Sequence, residues 1–94
     1  MRHKRDWENN DNFRRTIQSL GKAIESLREQ QGLSRKELAQ MAGISLSYLS
    51  RIEANNSESP CVVSFAVLYG ITGALGIGMK SFLIYAESIE RTLV

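Results

Sequence analysis

The sequence predicts an all-α fold built on a helix-turn-helix, and three features carry that prediction. Apolar residues from Phe13 onward recur at helical intervals. Ser34 and Glu37 stand at the spacing of a reciprocal helix cap. Gly43 then separates two short helical stretches, the second of which Ser45 can open.

Residues 1–11 read as a flexible, charged N-terminal arm, with Arg2, Lys4 and Arg5 available to touch a phosphate backbone; the folded domain is expected over residues 12–94. Phe13, Ile17, Leu20, Ile24 and Leu27 follow at intervals of four and three and mark one face of a first helix, about 12–31. Asp11 or Asn12 can cap its start, and Gly32 suits the left-handed residue that closes it. The hydroxyl of Ser34 can accept from the amide of Glu37 while that carboxylate reaches back, which opens a second helix, 35–41. Leu38 and Ala42 should face inward there, and Ala39 is small enough for another helix to cross closely. Gly43 allows a turn of positive φ without a Cβ clash. The third helix, 46–54, starts from Ser45 and returns Leu49 and Ile52 to the core, so that the two helices make the turn-linked unit whose second member can lie in a DNA major groove.

Length and composition narrow the classes of function. Ninety-four residues make one small domain, for which burial alone supplies thin stability and oligomerisation would help. Twelve Lys and Arg against ten Asp and Glu leave a net charge of +2, all of it in the first part of the chain, so an anionic ligand should dock there. Cys61 is the single cysteine and His3 the single histidine, which excludes an internal disulfide, a zinc site and a Cys/His nucleophile pair; no cofactor and no enzymatic activity are expected. The opening "MRHKRDWENNDN" has no apolar core behind it, which argues against a secretory signal and for a cytoplasmic protein.

The segment "LGKAIESLREQQGLSRKELAQMAGISLSYLSRIE" resembles the Cro/C1-type (XRE-like) helix-turn-helix regulators of bacteria and phage, a resemblance that spans about residues 17–83. The alanine, glycine and apolar positions of that motif fall on Ala39, Gly43, Ile44, Leu49 and Ile52. "ALGIGMKSFL", Ala74 to Leu83, is similar to the place where the family's fourth helix ends and its fifth begins. The stretch "SYLSRIE" is also similar to SinR-like regulators. The resemblance implies a five-helix, lambda-repressor-like DNA-binding domain.

With Leu49 and Ile52 inward, helical geometry leaves Leu46, Ser47, Ser50, Arg51 and Ala54 on the opposite face of the third helix. The resemblance puts base-reading side chains at Leu46, Ser47 and Arg51. Arg51 suits a bidentate contact to guanine, the alternatives being a salt bridge or a phosphate contact; Ser47 donates or accepts, and Leu46 packs on a thymine methyl or is a plain surface leucine. Tyr48 either supports the edge of the core or extends its hydroxyl to a phosphate. Arg35 stands at a family position that touches the backbone, and the hydroxyls of Ser34 and Ser45 with the nearby helix-start amides are suited to phosphates. Arg28 and Glu53 occupy positions that pair the first helix with the third. In the loop "ANNSESP", Asn55 and Asn56 can hydrogen-bond to DNA, but Glu58 repels it; affinity should therefore fall less steeply with salt than in a strongly basic binder.

Residues 61–79 hold no charge, close to the ~20 residues that cross a bilayer. Four glycines, Ser64 and Thr72 weaken the membrane reading, and a buried fourth helix, about 62–75 and stopped by Gly76, is preferred. A last helix, about 79–92, should present Leu83 to the core and leave Phe82, Tyr85, Ala86, Ile89 and Leu93 as a homodimer interface. Two reading helices would then lie roughly 34–36 Å apart and favour a palindromic operator. The expected function is a sequence-specific transcriptional regulator that binds double-stranded DNA as a dimer, a repressor by the tendency of the family. The alternative is a protein-interaction module, antitoxin or adaptor on the same fold, and a regulatory protein partner fits either.

Overall fold

The computed structural model describes residues 10–55 and 61–93. The N-terminal arm and its basic residues, Asn56, and the rest of the loop to Pro60 lie outside the described residues. Five helices follow one another: α1 (Asp11–Gln30), α2 (Arg35–Ala42), α3 (Leu46–Ala54), α4 (Phe65–Leu75) and α5 (Met79–Glu90), the last extended by a single 3₁₀ turn, Arg91–Leu93.

Most helix ends are set by the local chemistry expected of them. Ser34 and Glu37 form both halves of the capping box: Glu37 N donates to Ser34 Oγ at 3.0 Å, and Ser34 N donates to Glu37 Oε1 at 2.9 Å. Gly43 closes α2 at φ 72°, where any side chain would be strained. Ser45 Oγ then accepts from Tyr48 N and starts α3. Gly32, at φ 71°, follows α1.

Two boundaries differ from expectation. Asn10, rather than Asp11 or Asn12, caps α1, its Oδ1 accepting from Asn12 N at 2.7 Å. α4 begins at Phe65, not near residue 62, because Ser64 Oγ accepts from Val67 N and caps the helix there. Residues 61–64 are non-helical, and Gly76 ends α4 at φ 72°.

The core gathers Ala23 and Ile24 of α1, Leu38 and Ala39 of α2, Leu49 and Ile52 of α3, Leu68, Ile71 and Leu75 of α4, and Phe82 and Ala86 of α5. Full burial of a side chain such as Phe82 contributes about 1.5–3 kcal/mol. Ala39 is buried, as its small size suggested. Gly21 admits an even closer approach: a Cβ there would stand 2.2 Å from the backbone carbonyl oxygen of Ile52, so α1 and the end of α3 touch main chain to side-chain-free main chain.

α5 corrects the sequence reading. Phe82 and Ala86 point into the core, whereas Leu83 is 43% exposed and Ile84 69% exposed. Helical spacing defines two apolar faces on this segment, and the choice between them belongs to α1, against which α5 packs. Tyr85 and Ile89 are half-buried beside the core, and the Tyr85 hydroxyl shares a 2.8 Å hydrogen bond with Ser26 of α1. Phe82 and Ala86 are therefore unavailable as a surface for a second protein. Residues 61–79 do not form one rod either, since α4 and α5 meet at 96°; among the described residues no single helix is long and apolar enough to cross a membrane.

Candidate nucleic-acid interface

The face of α3 opposite Leu49 and Ile52 is open. Leu46, Ser47, Arg51 and Ala54 are exposed, with Leu46 at 47%, and Ser50 is half-buried. These side chains lie on one side of a helix only nine residues long whose N-terminus projects from the Gly43 turn, so Leu46 and Ser47 lead. An exposed leucine at the leading position of a short helix is suited to contact an apolar base edge.

Arg51 and Tyr48 form a unit. The Arg51 guanidinium carbon lies 5.6 Å from the centre of the Tyr48 ring, and the ring itself is half-buried against the core. Tyr48 is thus a support at the edge of the core that restrains Arg51. Among the described residues Arg51 has no carboxylate partner. Among the described residues no acceptor takes its donors, which suits them to an external one.

Arg28 and Arg35 are used inside the protein. Arg28 Nε donates to Glu53 Oε2 at 2.8 Å, its Nη2 to Glu53 Oε1 at 3.1 Å, and its Nη1 to the Leu33 carbonyl at 2.8 Å. The expected tie between α1 and the end of α3 is present. Arg35, expected at a phosphate, instead donates from Nε to Glu53 Oε1 at 2.9 Å and lies 3.4 Å from Glu25. The hydrogen bond it donates to Glu53 raises its guanidinium above its ordinary range, with the Glu53 charge next in size. One buried carboxylate thus gathers arginines from α1 and α2, and so fixes the direction in which α3 projects. Sequence reading missed the third member because Arg35 and Glu53 lie on different helices and nothing local in the sequence shows that the two helices bring them together.

Asn55 is likewise a structural residue rather than a DNA contact. It is 3% exposed; its Nδ2 donates to the carbonyls of Ile17 and Cys61, each at 3.2 Å, and its Oδ1 accepts from Cys61 N at 2.8 Å. A single amide therefore ties α1, the end of α3 and the chain leading to α4. An asparagine after a recognition helix looks the same in sequence whether it faces a phosphate or a carbonyl of its own chain.

Ser45 and Ser34 are exposed at the starts of α3 and α2. Each Oγ accepts a backbone amide; the Ser34 hydroxyl is also engaged with the Glu37 carboxylate, whereas the Ser45 O–H is left to donate. Among the described residues no cluster of His, Cys, Asp and Glu could hold a metal.

A helix-turn-helix family model matches residues 24–60, the span from the middle of α1 through α3. The transcriptional regulator SinR of Bacillus licheniformis is 34% identical over 71 residues, 76% of this chain and 61% of that protein. SinR of Bacillus subtilis (strain 168) is 34% identical over 64 residues, 68% of this chain and 55% of that protein. A crystal structure of the clp gene regulator ClgR from Corynebacterium glutamicum superposes with a TM-score of 0.68 at 32% identity, over 78% of this chain and 88% of the other. The chain belongs to the Cro/C1-type helix-turn-helix regulators.

A second ClgR crystal structure agrees, with a TM-score of 0.73 at 29% identity over 83% of this chain and 79% of that one. The chain spans about three fifths of the length of the SinR proteins it matches. α2 and α3 together carry Arg35, Lys36 and Arg51, and of these Arg35 is neutralised within the fold. The exposed rings of Phe65 and Tyr69 on α4, 69% and 65% exposed, were also missed, because an uncharged run reads uniformly as core.

Proposed function

We propose that this chain is a sequence-specific, double-stranded-DNA-binding transcriptional regulator that reads a palindromic operator as a homodimer, with α3 in the major groove. The observation that carries the proposal is the open face of α3, where Arg51 is restrained by Tyr48 and has no acid partner among the described residues. Arg51 contacts guanine, Ser47 a base-edge donor or acceptor, and Leu46 a thymine methyl. Ser45, Ser34 and the helix-start amides hold phosphates, with Tyr48, Ser50 and Asn56 at the margin. Bound at its operator, the dimer represses by occupying the promoter, in keeping with the family's tendency. It works without a catalytic step and in the cytoplasm.

Selection of bound sequences from a random duplex pool, with the oligomer mass measured in the same buffer, tests this reading. Enriched inverted repeats with half-site centres about 10 base pairs apart, together with a two-chain mass, are expected. Failure of the purified protein to enrich any sequence at low ionic strength overturns it.

A second reading, a protein-interaction module or adaptor, is favoured by α4. Phe65 and Tyr69 lie one turn apart on a helix without charge, and exposed apolar side chains brought together are what marks a protein contact. If that reading holds, Phe65→Ser abolishes partner capture and Arg51→Ala leaves it intact.

A further inference from the structure

Between α1 and the outer side of α5 lies a groove of about 470 Å³, with Thr16 and Leu20 on one wall and the exposed Leu83 and Ile84 on the other. Toward the start of α1 a second hollow opens between Asn12 and Arg15 on one side and Arg91 on the other. Glu87 and Glu90 line both parts, so the two are continuous. Glu90 accepts a hydrogen bond from Thr16 Oγ1 at 3.0 Å, and Glu87 stands 3.4 Å from Arg91 in a contact where both side chains are more than half exposed. An apolar floor with carboxylates at its rim suits an occupant that carries a large apolar group with positive charge beside it.

The chain itself holds such a segment next to the groove. Residues 1–9 contain the single tryptophan, Trp7, with Lys4 and Arg5 just before it. They join α1 at Asn10, whose φ of −78° and ψ of 135° are extended backbone, so the preceding chain leaves the helix axis beside Asn12 and Arg15. The three residues from Asn10 back to Trp7 cover at most about 10 Å when extended. Thr16 lies six residues into the helix from Asn10, a rise of about 9 Å. A chain that doubles back along α1 therefore brings the Trp7 ring to the apolar floor. The long side chains of Lys4 and Arg5 then reach Glu87 and Glu90, and Glu8 falls beside Arg15 and Arg91.

We propose that residues 1–9 dock along the groove between α1 and α5, with Trp7 seated among Leu20, Leu83 and Ile84 and with Lys4 and Arg5 facing Glu87 and Glu90. The docking covers an apolar surface within one chain and needs neither a duplex nor a second copy. It also sets these carboxylates in competition with DNA phosphates for the same basic side chains.

Fluorescence of the full chain tests this directly, because Trp7 is the only tryptophan. In buffer without DNA its emission should lie at shorter wavelength, and acrylamide should quench it less, than in the same protein unfolded by urea. Ile84→Ser should shift both readings toward the unfolded values while circular dichroism shows helicity kept. Glu87→Lys should shift them part of the way, and Phe65→Ser, on the far α4 surface, should leave them unmoved. Dilution should change neither. Trp7 as open to acrylamide in the folded protein as in urea overturns the proposal, and so does shielding that persists unchanged in Ile84→Ser. Shielding that fades on dilution overturns it as well and assigns the groove to a second copy.

Discussion

Arg28 and Glu53 meet through two hydrogen bonds, Nε to Oε2 at 2.8 Å and Nη2 to Oε1 at 3.1 Å, at a place where the glutamate side chain has no exposed surface. Removing one partner strands the other charge in the interior, so Glu53→Ala should cost about 3–5 kcal/mol in urea unfolding. Arg35, the half-exposed third member, should cost only about 1 kcal/mol when replaced by alanine. Its removal should lower stability while leaving the salt dependence of duplex binding unchanged. A shallower salt slope in Arg35→Ala would instead mark it as a phosphate contact.

Asn55 makes three hydrogen bonds with its own chain, and alanine there leaves a buried amide and carbonyls unpaired. Asn55→Ala should therefore destabilise the fold by about 1–3 kcal/mol. Duplex affinity, measured at a temperature where the variant is fully folded, should be unchanged. A loss of affinity at full folding would return Asn55 to the interface.

Arg51→Ala should behave in the opposite way. The side chain is exposed and has no acid partner among the described residues, so the unfolding midpoint should barely move. Operator affinity should fall by about 1–3 kcal/mol in a fluorescence-anisotropy titration, and preference at one guanine should be lost. Equal weakening across all sequences would reassign Arg51 to a phosphate.

The capping box predicts an acid-sensitive contribution from Glu37. Its carboxyl is held below the ordinary carboxylate range, chiefly by the hydrogen bond from the Ser34 backbone N–H and then by the Ser34 side chain. A lowered value in the folded state favours the charged form. The stabilisation is therefore present above the ordinary carboxylate range and is lost as pH falls through the folded value. Glu37→Gln keeps an acceptor oxygen and removes the titration. The variant should lose less stability than the unaltered protein between neutral and acid pH, as followed by denaturation midpoints across pH.

What the sequence determined by itself was local. Ser34 with Glu37, Ser45, Gly32, Gly43 and Gly76 place helix ends because a cap is decided by backbone geometry within four residues, and the chain carries that information wherever it folds. The α3 face was legible for the same reason, since Leu49 and Ile52 define inside and outside on one short helix. Two residues of the expected interface were not. Arg35 is drawn to Glu53 and Asn55 to Ile17 and Cys61, and each of these pairings joins separate segments. On α5 the apolar pattern supports two faces equally well, and only contact with α1 selects Phe82 and Ala86 for the core and leaves Leu83 and Ile84 outside. Periodicity states that a helix has an apolar side; which side is buried depends on the direction from which its neighbours arrive, and that is a property of the assembled fold.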